Sequence, residues 1–136
     1  MADLPQVNAK QIELMKTIAN GEKDKPVFML NLNCYTPEAG YPNGMLYKNY
    51  MNVLDRLLDE VGGKIVWRTN VEGTVVGEQC IHEALGIWYP SHKSFLSLMT
   101  APSSEENMKL RSQAVLHADL HRCADYLTEQ KSRSEE

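Results

Sequence analysis

Residues Val27 to Tyr35 are the stretch that most constrains how this chain can fold. Read with a period of two, Phe28, Leu30, Leu32 and Cys34 fall on one face. Val27, Met29, Asn31, Asn33 and Tyr35 fall on the other. The first face is apolar throughout, and the second starts apolar and turns polar. A strand with apolar residues on both sides belongs to a sheet covered on both sides. The rest of the chain must supply that cover.

The segments around the strand are helical and extended in turn. Asn8 is an N-cap with Gln11 three residues on, as in a capping box, and Val7 and Ile12 sit at the staple positions. Ile12, Met15, Ile18 and Ala19 recur at helical spacing, and Asn20-Gly21 predicts an αL stop. Thr36 to Gly44 reads as a loop, with Asn43 as the cap of the next helix. Leu46, Tyr50, Val53, Leu54, Leu57, Leu58 and Val61 mark one face of that long helix, which Gly62-Gly63 ends. Lys64 to Val71 alternates as a strand, with Thr74 to Val76 continuing it. Glu78 to Glu83 reads as a polar loop, and Ala84 to Tyr89 as a third strand. Ser91 caps a short helix carrying Phe95, Leu98 and Met99. Ser103 and Glu106 form a second capping box, opening a helix to about Val115. Ala118 to Ala124 makes the last strand, and Thr128 to Glu136 a polar tail.

The order α, then β-α-β-β-α-β, predicts an α+β fold of the ferredoxin-like kind. Its four-stranded antiparallel sheet carries helices on one face, with an extra N-terminal helix. The other face needs cover, and a second copy of the sheet supplies it economically. A homodimer with a two-fold interface is therefore expected. The chain reads as one domain over residues 1–136, with a core of about 26–124 and an N-terminal helical extension over 1–25.

Composition narrows the function classes. Fourteen Lys and Arg against eighteen Asp and Glu give a formal charge of −4, without the dense basic footprint of a nucleic-acid binder. No apolar run is long enough to span a membrane. Met1 to Gln6 has no basic or apolar signal region, so no secretory signal is expected. The three cysteines, Cys34, Cys80 and Cys123, are odd in number and widely spaced, which is no disulfide framework. A cytoplasmic protein is expected.

The run Pro26-Val27-Phe28-Met29-Leu30-Asn31-Leu32 resembles the opening strand of a domain-of-unknown-function family in the dimeric α/β-barrel superfamily. Further matches are the Tyr47/Tyr50 pair, Gly62-Gly63, Tyr89-Pro90-Ser91 before Phe95 and Met99, and Arg111. Together they span residues 26 to 124. The resemblance implies a ferredoxin-like protomer paired sheet to sheet. That architecture is similar to cofactor-independent monooxygenases of polyketide quinones, muconolactone isomerases, haem-degrading enzymes and chlorite-dismutase-like proteins. Chemistries so different mean that the fold alone does not give the function.

Pockets of this superfamily lie between sheet and helices, which draws attention to the polar end of the first strand. There Asn31 could hydrogen-bond a substrate carbonyl or developing enolate, or simply a neighbouring backbone group. Asn33 and Tyr35 continue the same row. Tyr47 and Tyr50, on the long helix, offer phenols to a ligand or to a structural partner. Trp67, Trp88 and Tyr89 could wall a flat ligand or fill core and interface. Arg68 points away from Trp67 and, if buried, needs an anion such as a substrate carboxylate or Glu78. His117, Asp119 and His121 share a strand face, and His121 is the candidate proton carrier. Cys80 and His82 could ligate a metal, but no second pair completes a tetrahedral site. No metal site and no organic cofactor are expected. Cys34 reads as an inert buried thiol, and His92 as exposed.

Besides a stress or structural accessory protein with no pocket, two classes of function remain. One is a small-molecule enzyme doing acid–base chemistry on a small, partly apolar organic substrate, as a cofactor-independent oxygenase, isomerase, cyclase or lyase. Asn31, Tyr50 and His121 would then be catalytic, and Asn33, Tyr47, Trp67, Arg68, Trp88 and Tyr89 would bind substrate. The other is a non-catalytic ligand-binding or regulatory homodimer.

Overall fold

A computed structural model describes residues 7–124. Met1 to Gln6 and the tail from Thr128 lie outside them. Eight elements succeed one another: α1 (Ala9–Asn20), β1 (Val27–Tyr35), α2 (Met45–Val61), β2 (Lys64–Asn70), β3 (Glu83–Tyr89), α3 (His92–Leu96), α4 (Ser104–Ala114) and β4 (Val115–Cys123). A 3-10 turn, Pro37–Ala39, lies between β1 and α2. The strands form one antiparallel sheet in the order β2-β3-β1-β4.

The helices cover one face of this sheet. It is the face on which β1 presents Val27, Met29, Asn31, Asn33 and Tyr35, all buried. Leu85, Ile87 and Tyr89 of β3 join it, and Tyr47, Tyr50, Met51 and Leu58 of α2 pack down on it. Each large apolar side chain buried here contributes about 1.5–3 kcal/mol. Phe28, Leu30 and Leu32 lie on the other face and are half-buried within the protomer. That face also carries Trp67, 43% exposed, and Trp88. Gly86 lies between Phe28 and Trp67, and a Cβ there would collide with both rings. The missing side chain lets two aromatic rings lie across the strand.

Most elements fall where the sequence puts them, and the differences have local causes. The Gln11 backbone N–H donates to Asn8 Oδ1 at 3.2 Å, but the Gln11 side chain accepts from Arg122 of β4 instead of closing the box. Gly21 has φ −91°, so α1 ends without an αL residue. Gly44, not Asn43, is the N-cap of α2. Gly62 ends α2 at φ 80°, the αL cap its sequence predicts. Thr74 to Val76 is not a strand: Val75 and Val76 are almost fully exposed and pair with no strand among the described residues. The Ser103 hydroxyl donates to Glu60 Oε2 at 2.6 Å and accepts from Arg56 Nε at 2.8 Å, and Glu106 pairs with Arg56. The capping box expected there is thus replaced by bonds to α2. β4 starts at Val115, three residues early, and β3 starts at Glu83. No helix among the described residues is long and apolar enough to cross a membrane.

His92 is 1% exposed, against the expectation of a surface residue. Its ring is held by Asp24 Oδ1 at 3.2 Å and Lys25 O at 3.0 Å. Asp24 also accepts the backbone N–H groups of His92 and Lys93, at 2.8 and 3.2 Å, and so caps α3 from outside the helix. Burial alone would raise the Asp24 carboxyl. The hydrogen bonds from His92, Lys93 and Lys25 outweigh it and hold the group below its ordinary value.

Candidate functional site

Glu83 is the residue around which the polar end of the sheet is built. It opens β3 and is 3% exposed. By alternation it shares the helix-covered face with Leu85, Ile87 and Tyr89. Opposite it, in register, stands Asn33 of β1. A buried carboxylate is costly unless its oxygens are bonded, and here two phenols meet it. The Tyr35 hydroxyl donates to Glu83 Oε1 at 2.6 Å. The Tyr47 hydroxyl donates across both oxygens, 2.9 Å from each. Asn33 Nδ2 in turn donates to the Tyr35 oxygen at 3.1 Å. The chain Asn33–Tyr35–Glu83–Tyr47 therefore runs from β1 through β3 to α2.

Three tyrosine rings pack around this carboxylate. Tyr41 stacks on Tyr35 at 4.9 Å and meets the Tyr47 edge at 4.8 Å. Its hydroxyl donates to Asn70 Oδ1. Burial, and then the Glu83 charge, push the Tyr35, Tyr47 and Tyr41 phenols above their ordinary value. The Arg68 guanidinium opposes the rise at Tyr47 and Tyr41. These phenols are therefore hydrogen-bond donors at neutral pH, not bases. Tyr41, Pro42, Tyr47, Arg68, Thr69, Asn70 and Glu83 line a cleft of about 370 Å³ open to solvent. Arg68 makes no ion pair among the described residues, so its charge is available to the cleft. Glu78 lies in an exposed loop and is not its partner.

The structure divides the sequence-derived candidates. Asn33, Tyr47 and Arg68 come together at the cleft or its floor. Asn31 is buried on the same face, but its Nδ2 donates to Met29 O at 3.2 Å, a neighbouring backbone group. Tyr50 is buried in the core, where burial pushes its phenol up. Tyr89 packs edge-on against Phe95 at 5.1 Å and is core as well. Trp67 and Trp88 lie on the opposite sheet face and wall nothing here. His121 is exposed on that same opposite face, paired with Leu30 in register, and so cannot serve as the proton carrier for Asn31 and Tyr50. The physical reason is the β1–β4 register, which turns His117, Asp119 and His121 away from the helices.

Glu83, Tyr41 and Asn70 were not among the sequence-derived candidates. The signal that marks Glu83 is its spacing of two from Leu85, Ile87 and Tyr89, which the polar run before it obscures.

No family model matches the chain, and no curated protein matches it. Among solved structures it is similar to a protein of unknown function from Rhodopseudomonas palustris, a structural genomics target. The identity is 25% and the TM-score 0.69, over 87% of this chain and 93% of that one. It is also similar to the methylated form of that protein, with 25% identity and a TM-score of 0.70, over 90% of this chain and 95% of that one.

Proposed function

We propose that this chain is a ferredoxin-like protomer of a dimeric α/β-barrel enzyme whose cleft runs acid–base chemistry on a small, enolisable organic anion. The carrying observation is Glu83, a buried carboxylate fixed by two phenols at a cleft that also holds an arginine without an ion pair among the described residues. Glu83 takes a proton from carbon next to a carbonyl. Arg68 holds the anionic end of the substrate, and the Tyr41 hydroxyl, whose one proton now goes to Asn70, turns to the oxygen on which charge develops, while Tyr47 keeps its bond to Glu83. No organic cofactor is needed for such a step. An isomerase, cyclase or lyase, or an oxygenase whose deprotonated substrate itself meets oxygen, would use the same parts. The half-buried Phe28, Leu30 and Leu32, with Trp67 and Trp88, favour a second copy of the sheet as their cover. An odd number of cysteines suits a reducing compartment such as the cytoplasm.

Hydrogen exchange tests the reading directly. Small keto acids and 1,3-dicarbonyl compounds incubated with the protein in heavy water should exchange their α-protons, followed by NMR. Glu83→Gln should slow the exchange by about 10²–10⁴-fold, the usual worth of a positioned general base. Equal exchange by the wild type and Glu83→Gln would remove Glu83 as the base. A second reading, ligand binding without turnover, is favoured by the fact that both Glu83 oxygens already accept phenol bonds. It predicts ligand-induced chemical shifts with no exchange of label.

A further inference from the structure

Beside Tyr35 and Tyr41, whose rings lie 6.2 and 6.0 Å from that of His82, stands a second group of side chains outside the residues that line the cleft. Cys34 ends the apolar face of β1 and is buried. Segment 71–82 returns over this corner of the sheet: Gln79 Nε2 donates to Asp119 Oδ2 of β4 at 2.8 Å, and the His82 backbone N–H to Asn33 O at 2.8 Å. The return brings Cys80 and His82 to Cys34. The two sulfurs and an imidazole nitrogen all lie within 4.8 Å of one another. Sequence spacing offered only Cys80 and His82. The third donor comes from a strand nearly fifty residues earlier, and only the fold supplies it.

We propose that Cys34, Cys80 and His82 form a zinc site with one coordination position left open. Thiolate and imidazole are the donors zinc takes, at about 2.3 and 2.0 Å, and two sulfurs on one tetrahedral ion stand about 3.8 Å apart. The three donors need to close by little more than an ångström. Two thiolates balance the dication, so the site is neutral when filled, which suits a buried Cys34. Burial, and then the neighbouring Cys80, push the Cys34 thiol up, so the proton stays until a cation displaces it. The balanced step is two thiols and one zinc ion giving a zinc dithiolate and two protons. His117, opposite Cys34 in the β1–β4 register, is a further donor position on this face. A neutral imidazole has one ring lone pair, and the Tyr35 backbone N–H now holds that of His82, at Nδ1, at 2.9 Å. Zinc therefore competes with the Tyr35 amide, and filling the site releases it.

The test uses the full chain, reduced and freed of metal by a chelator, titrated with zinc chloride against a chromophoric competitor. One zinc per protomer is expected. Cobalt(II) in its place should give thiolate-to-metal charge-transfer absorption. Zinc should shift the Tyr35 amide resonance. Cys80→Ser, in an exposed loop, should weaken binding at least about 100-fold, since even an outer-shell partner is worth 10–100-fold. Cys123→Ser should bind as the wild type. No uptake by the reduced chain, a cobalt complex without thiolate absorption, or full-strength binding by Cys80→Ser would each overturn the proposal. A Cys34–Cys80 disulfide in air, with no zinc uptake after reduction, would do the same and mark a thiol pair instead. None of these readouts involves the cleft chemistry.

Discussion

Tyr47 has a structural duty that can be separated from any reaction. Its hydroxyl bonds both oxygens of Glu83, so Tyr47→Phe leaves a buried carboxylate with one phenol. A cost of about 1–3 kcal/mol is expected, read from urea midpoints at pH 7. The phenol also links stability to alkali. Its value in the fold is raised above the ordinary 10.0 by burial and by Glu83, so the folded chain keeps a proton that the unfolded chain releases. The contribution is complete below pH 10 and is lost as the pH rises through the folded value. Tyrosinate absorbance should lag in the folded protein, and Tyr47→Phe should reduce the lag. Among the site residues, Asn33, Tyr47 and Arg68 were legible because strand alternation and the helical stripe fix their faces. Glu83 was not, because a charged residue beside a polar loop reads as loop until its pairing with Asn33 is known. His121 was legible as a strand residue, but its face was set by register with β1, which one segment cannot reveal.

Among the elements, α3 depends most on a residue outside itself. It is five residues long, too short to be stable alone. Ser91 Oγ accepts from the Ser94 backbone N–H at 2.9 Å, and Asp24 accepts from His92 and Lys93. Asp24→Ala should cost about 1–2 kcal/mol, as the loss of a strong cap does, and should leave His92 Nδ1 with the Lys25 carbonyl alone. The sign of the pH effect comes from a lowered carboxyl. The wild-type advantage is full above the ordinary value of 3.8 and fades as the pH falls through the lower folded value. Melting curves of both proteins should converge in acid. The Ser91 cap could be read in the sequence, being three residues from its donor. The Asp24 cap could not, since nothing local joins residue 24 to residue 92. The same distinction explains Thr74 to Val76, whose β-branched residues favour a strand but find no neighbouring strand to pair with.

For the whole molecule, the deciding surface is the sheet face away from the helices. Leu30 sits near its middle, between His121 of β4 and Gly86 of β3 in register. For the proposed dimer, Leu30→Asp should halve the mass seen by light scattering at micromolar concentration while the covered face stays folded. A wild-type monomer at that concentration would remove the sheet-to-sheet pairing. The α+β class and the element order were legible from periodicity and capping, whereas what covers this face is not written in the pattern of one chain. The two tryptophans of the sequence, Trp67 and Trp88, both lie on this face, and all the tyrosines of the cleft lie on the other. Indole emission shifts to the blue when water leaves the ring. The native fluorescence spectrum, tracked on dilution, is therefore an optical gauge of the proposed association, and one that a ligand entering the cleft would leave almost untouched.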